Sequence, residues 1–185
     1  LTLYDNPPRR ADGGVSDPDK VLWHLVRRKS DIAQVYVDKS PARDTRQNLL
    51  GFGVRSTFDL ACEQGNVSVV AALLGKEKRT DMNQQRAGGG TPLFTAAKAG
   101  HTEIVALLVA AGADINKSEG DTDPFLRAAS RGHVEIVTLL LKSAKAAGDK
   151  RYVDKASNMG NTAMFLACHG GYVRVMKVLV EAGAD

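Results

Sequence analysis

One pattern recurs four times along this chain, at intervals of 35, 32 and 39 residues. Its fullest copy reads Gly90-Thr91-Pro92-Leu93-Phe94-Thr95-Ala96-Ala97-Lys98-Ala99-Gly100-His101-Thr102-Glu103-Ile104-Val105-Ala106-Leu107-Leu108. A second runs from Pro124 to Leu140, and weaker copies run from Ser56 to Leu73 and from Thr162 to Leu179. A period in the low thirties means stacked units that share one continuous core, each too small to bury its apolar face alone. Such an architecture favours an extended binding surface over an enclosed catalytic pocket.

The copies align on Gly65, Gly100, Gly132 and Gly171. Seven positions earlier stand Phe58, Leu93, Phe125 and Met164; four positions earlier stand Ala61, Ala96, Ala128 and Ala167. After each glycine, apolar residues recur at i, i+1, i+3 and i+4, as in Ile104, Val105, Leu107 and Leu108, which puts one apolar stripe on a helix. Thr91 suits an N-cap, and Pro92 suits the first helical position, where a missing N–H costs nothing. The alanines let a neighbouring helix approach closely. Gly100 and its equivalents can adopt the left-handed conformation that ends a first helix, and Ala111-Gly112-Ala113-Asp114 and Ala182-Gly183-Ala184-Asp185 end the second helices likewise.

This pattern strongly resembles the ankyrin repeat, with its T-P-L-H-x-A signature and period of about 33 residues. Thr91-Pro92-Leu93-Phe94-Thr95-Ala96-Ala97 matches except that Phe94 stands where histidine is usual, and Gly112-Ala113-Asp114-Ile115-Asn116 extends the match. Asp123-Pro124-Phe125-Leu126 and Thr162-Ala163-Met164-Phe165 are degenerate copies, and Ser56-Thr57-Phe58-Asp59 is more so. The resemblance implies an all-α solenoid of stacked helix–turn–helix units with projecting β-hairpin loops. We expect about five repeats, at residues 20–50, 51–86, 87–118, 119–156 and 157–185, the first divergent and the last truncated. Residues 1–19, with Pro7-Pro8, Gly13-Gly14 and Asp17-Pro18, read as a flexible arm or linker. The 39-residue interval places an insertion at about 142–152, where Lys142-Ser143-Ala144-Lys145-Ala146-Ala147 should lengthen a second helix by a turn or two. Leu1 in place of methionine, and an ending at Asp185 where a repeat runs on into its hairpin, are features expected of a fragment.

Catalytic chemistry finds little support. Sorted by repeat position, no Ser–His–Asp, Cys–His or paired-carboxylate arrangement emerges. His101 and His133 share one column after the turn glycine and suit hydrogen bonds to backbone; equivalent positions are too widely spaced to hold one metal ion. Gly88-Gly89-Gly90-Thr91 lacks the spacing of a phosphate-binding loop and reads as a hairpin tip. Cys62 and Cys168 fall in the column of Ala97 and Ala129 and read as small core residues. Three repeat steps of about 10 Å keep them from forming a disulfide. That usage suits a reducing, intracellular setting, the cytoplasm first and the nucleus second. The expectation is no enzyme, no cofactor, no metal and no membrane partner. The net charge is +4, with basic runs at Arg27-Arg28-Lys29 and Lys76-Glu77-Lys78-Arg79, but aromatics for base stacking are sparse and nucleic acid ranks low.

In ankyrin stacks the first helices and the hairpins line a concave groove where partners bind, so the resemblance points to positions without structural duty there. On the first helices these include Arg27, Arg28, Glu63, Gln64, Lys98, Ser130, Arg131 and His169. At the hairpin tips they include Gln85, Arg86, Lys117, Glu119, Asp121, Asn158, Met159 and Asn161. This mostly cationic row suits a partner protein with an acidic segment and some apolar anchors. The expected function is a non-catalytic scaffold or adaptor module. The first alternative is a substrate-recruiting domain of a larger multidomain enzyme; a nucleic-acid-binding surface ranks below it.

Overall fold

A computed structural model describes residues 57–76, 82–83, 90–117, 120 and 122–184 of the chain. These fall in two compact units, one up to Thr80 and one from Asp81. The expected arm at 1–19, the divergent repeat at 20–50, most of the Lys76-Glu77-Lys78-Arg79 run and Gly88-Gly89 lie outside the described residues. So do Arg27, Arg28, Gln85, Arg86, Glu119 and Asp121.

In the first unit, α1 (Thr57–Gln64) and α2 (Val67–Lys76) form one helical hairpin. Ala61, Cys62, Val69 and Val70 are fully buried. Asn66 opens α2 by accepting the Val69 N–H on its side-chain oxygen at 3.3 Å.

The second unit holds three helical hairpins: α3 (Pro92–Ala99) with α4 (Thr102–Ala110), α5 (Pro124–Ser130) with α6 (Val134–Ala146), and α7 (Ala163–His169) with α8 (Val173–Glu181). First helices pack beside first helices and second beside second, giving two walls. The column read as close-contact alanine is just that: Ala96, Ala128 and Ala167 have no exposed surface. The stripe of the second helices is equally buried at Ile104, Ile136 and Val175, each such side chain contributing about 1.5–3 kcal/mol on removal from water.

The caps follow the sequence closely. Thr91, Asp123 and Thr162 each accept the backbone N–H three residues on, from Phe94 at 3.2 Å, Leu126 at 2.8 Å and Phe165 at 3.2 Å. Pro92 and Pro124 then begin their helices without losing a hydrogen bond. At the other end, Gly100 has φ 85°, and the His101 N–H reaches back to the Ala96 carbonyl at 3.0 Å. The same return bond runs from His133 to Ala128 and from Tyr172 to Ala167.

The first residue of each second hairpin then packs on the turn before it. The His133 ring covers Gly100, with Nε2 3.4 Å from the Lys98 carbonyl, so the histidine links two neighbouring hairpins as its column suggested. Tyr172 covers Gly132 in the same manner.

The insertion is also where the spacing put it. α6 has 13 residues against nine in α4, about one turn or 6 Å longer. The chain then turns at Gly148 into a short 3-10 helix, Tyr152–Asp154, which packs on α6 and α7. Tyr152 is 2 % exposed, its ring 4.9 Å from that of Phe125 and its hydroxyl donating to the Ile115 carbonyl at 3.3 Å. Burial, with the charges of Asp123, Asp149 and Asp114 behind it, pushes this phenol up and keeps it neutral. A β-bridge pairs Ala156 with Thr162 at the base of one projecting hairpin, and Thr122 is also in a bridge.

Cysteine placement needs one correction. Cys62 is buried, but Cys168 is exposed, although Ala97 and Ala129 in its column have no exposed surface. Those alanines are covered by the next hairpin, and no described element packs beyond α7 and α8. Burial pushes the Cys62 thiol up, so almost none of it is thiolate near neutral pH. Brief treatment of the native chain with a maleimide should label Cys168 and spare Cys62, with denaturant exposing both to the reagent. Peptide mass spectrometry checks this, and equal native labelling would contradict the burial of Cys62.

Candidate partner-binding surface

Each first helix of the second unit buries one side, with five buried residues on α3, five on α5 and two on α7, so its other side is the wall available to a partner. Along α3 this side carries Thr95, Lys98 and Ala99; along α5 it carries Arg127, Ser130 and Arg131; along α7 it carries Leu166, His169 and Gly170. The spacing i, i+3, i+4 is what one helix face requires.

Lys98, Arg131 and His169 are exposed, as their column implied. Lys98 stands in the last turn of α3, and Arg131 caps α5, where a cation also complements the helix dipole. Ser130 is half-buried, and its hydroxyl donates to the Arg127 carbonyl at 2.8 Å, which commits it to its own helix. Glu63 and Gln64 are half-buried at the end of α1, in the other unit. At the hairpin tips Lys117, Asn158 and Met159 are exposed. Asn161 is half-buried, with its carbonyl accepting from Ser157 N–H at 2.9 Å, so its backbone closes the hairpin.

Two residues escaped the sequence reading, one on this side and one in a column that is core in the earlier hairpins. Arg127 lies one turn before Ser130, and its guanidinium sits 5.4 Å from the Phe94 ring centroid of the neighbouring helix. That contact holds a third, half-buried cation on the helix that carries Arg131. Spacing alone offered the signal, because Arg127 shares the helix face of Ser130 and Arg131. Phe165 is the other, 55 % exposed, although Phe94 and Leu126 in its column are each 1 % exposed. Its ring stacks on His169, with centroids 6.4 Å apart. Met159, at a hairpin tip, is 77 % exposed.

Chemically this wall offers cations and the His169 imidazole, with the Met159 thioether at a hairpin tip. Among the described residues no three His, Cys, Asp or Glu side chains gather in a way that holds a metal ion. No described helix is long and apolar enough to cross a membrane.

Comparison with known proteins agrees with the geometry. A family model described as ankyrin repeats matches in three copies, over residues 22–119, 58–151 and 118–185. The ankyrin repeat and KH domain-containing protein mask-1 of Caenorhabditis elegans is 37 % identical over 132 residues, 70 % of this chain but 5 % of its own length. Photoreceptor ankyrin repeat protein of Homo sapiens is 37 % identical over 91 residues, 48 % of this chain and 19 % of its own. Alpha-latrotoxin-Lt1a of Latrodectus tredecimguttatus is 35 % identical over 79 residues, 39 % of this chain and 6 % of its own. The chain thus spans a small part of each of these relatives.

Proposed function

The chain belongs to the ankyrin-repeat family, and from that premise we propose that it is a non-catalytic module that binds a partner protein along its first-helix wall. The partner segment carries acidic side chains that meet Lys98, Arg127 and Arg131, and an apolar side chain that meets Met159. The observation that carries this reading is the exposed Lys98 and Arg131, with half-buried Arg127, on the free side of α3 and α5, and the exposed Met159 at a hairpin tip. Stacked helices hold these groups in place before binding, so little conformational entropy is lost on association. The setting is intracellular, the cytoplasm before the nucleus. A second reading, recruitment of substrate for a catalytic domain in the same polypeptide, draws on the much greater length of the relatives.

Affinity capture from native cell extract tests it, with wild type compared against Lys98→Ala/Arg131→Ala. We expect an acidic protein held by wild type to be retained at least about tenfold less by the double variant, with a weaker dependence on salt. Equal retention would place the contact elsewhere.

A further inference from the structure

The repeat is interrupted once, after α6, and a groove of ≈ 640 Å³ lies there. Its walls are the extra turn of α6, the inserted loop that follows it, and the last turn of α8. Its floor is apolar: Ala144 and Val153 are buried, and Leu141 and Val178 are half-exposed. Around it stand Lys142 and Lys145 on α6 and Lys150 on the loop, all three exposed. Two acids also line it. Asp149 accepts the Arg151 N–H at 3.1 Å, and Glu181 closes α8.

A row of lysines on a helix is ordinarily a solvated face. Two features set these apart. They surround apolar surface that water covers, and the described ion pairs, Lys155 with Asp123 and Arg174 with Glu135, leave all three aside. The groove belongs to the second-helix wall, so it is separate from the row of Lys98 and Arg131. Its volume falls within the roughly 300–1,000 Å³ typical of concave sites that capture whole side chains or small ligands. Charge selects the occupant: surplus positive charge over an apolar floor complements carboxylates flanking aliphatic side chains.

We propose that this groove is a second docking site, for a short protein segment with acidic residues on either side of apolar anchors. The insertion thereby gives the module two independent contacts, one on each wall, and lets it join two protein segments at once.

The test uses the isotope-labelled chain carrying Lys98→Ala/Arg131→Ala, so that the first-helix wall cannot supply the signal. The probe is a short peptide of glutamate and leucine. Titration should shift the backbone amide resonances of Ala144, Gly148, Val153 and Val178 in a saturable manner. A matched peptide with serine in place of leucine should bind at least about tenfold more weakly, as should the original peptide to Lys142→Glu/Lys145→Glu/Lys150→Glu. Circular dichroism monitors folding of that variant, and Lys→Gln at the same three positions serves if it unfolds. Absence of shifts at the groove overturns the proposal, and so does equal binding of the serine peptide, which would reduce the interaction to bulk charge. Shifts produced by phosphatidylserine vesicles or generic RNA, but not by the peptide, overturn it as well.

Discussion

Replacing Gly132 with alanine is expected to destabilise the second unit by about 3 kcal/mol, a fall in Tm on the order of 10–20 °C. Two causes act together. Gly132 has φ 76°, where a Cβ costs about 1–2 kcal/mol. That Cβ would also lie 2.4 Å from Cδ1 of Tyr172, and overpacking adds about 1–3 kcal/mol. The ring is also hemmed in on its other edge by Gly170, whose own added Cβ would lie 2.3 Å from Cε2. Three glycines allow the causes to be separated. Gly112→Ala carries only the backbone penalty, since φ is 89° and nothing lies within 4 Å. Gly170→Ala carries only the clash, since its φ is −80°. Gly132→Ala should cost more than either, and adding Tyr172→Ala should recover part of the loss. Thermal melts by circular dichroism give all four values. A Gly132→Ala variant as stable as Gly112→Ala would show that Tyr172 does not press on the turn.

That column of turn glycine and following ring shows how far the sequence could be read. Gly100 and Gly132 announced the left-handed turn, and His101 and His133 announced one conserved geometry in two copies. Thr91, Pro92 and the alanines fixed caps and close approach, because these depend on chemistry within one hairpin. What the sequence left hidden depends on neighbours. Phe165 and Cys168 occupy columns that are core in earlier hairpins, yet they are exposed where no further described hairpin covers them. Arg127 is held against Phe94 of the preceding hairpin, a contact that spacing within its own copy does not show. Tyr152 and Lys155 lie beside an insertion that has no counterpart in other copies, so no column predicted that one would enter the core and the other seal it.

Lys155 supplies the second large effect, and it concerns a charge that cannot reach water. Asp123 is 2 % exposed at the start of α5. One of its oxygens caps the Leu126 N–H at 2.8 Å, while Oδ2 lies 2.8 Å from the Lys155 ammonium. That ammonium also donates to Asn116 Oδ1 at 2.9 Å and lies 5.8 Å from the Tyr152 ring centroid, so it ties the loop after α4, the cap of α5 and the inserted loop together. The Lys155 side chain is 33 % exposed, so in the absence of Asp123 it can still be hydrated. Asp123 has no such escape. The two partners are therefore unequal: Lys155→Met strands a buried carboxylate and should cost about 2–4 kcal/mol, near the lower part of the range for breaking a buried pair. Asp123→Asn keeps an oxygen for the cap and removes the charge, and should cost only about 1 kcal/mol. Combining the two changes should give a chain more stable than Lys155→Met alone, because the stranded charge is gone. Urea unfolding of the three variants measures the order directly. If Asp123→Asn proves the costlier single change, the buried carboxylate is not the element that Lys155 sustains.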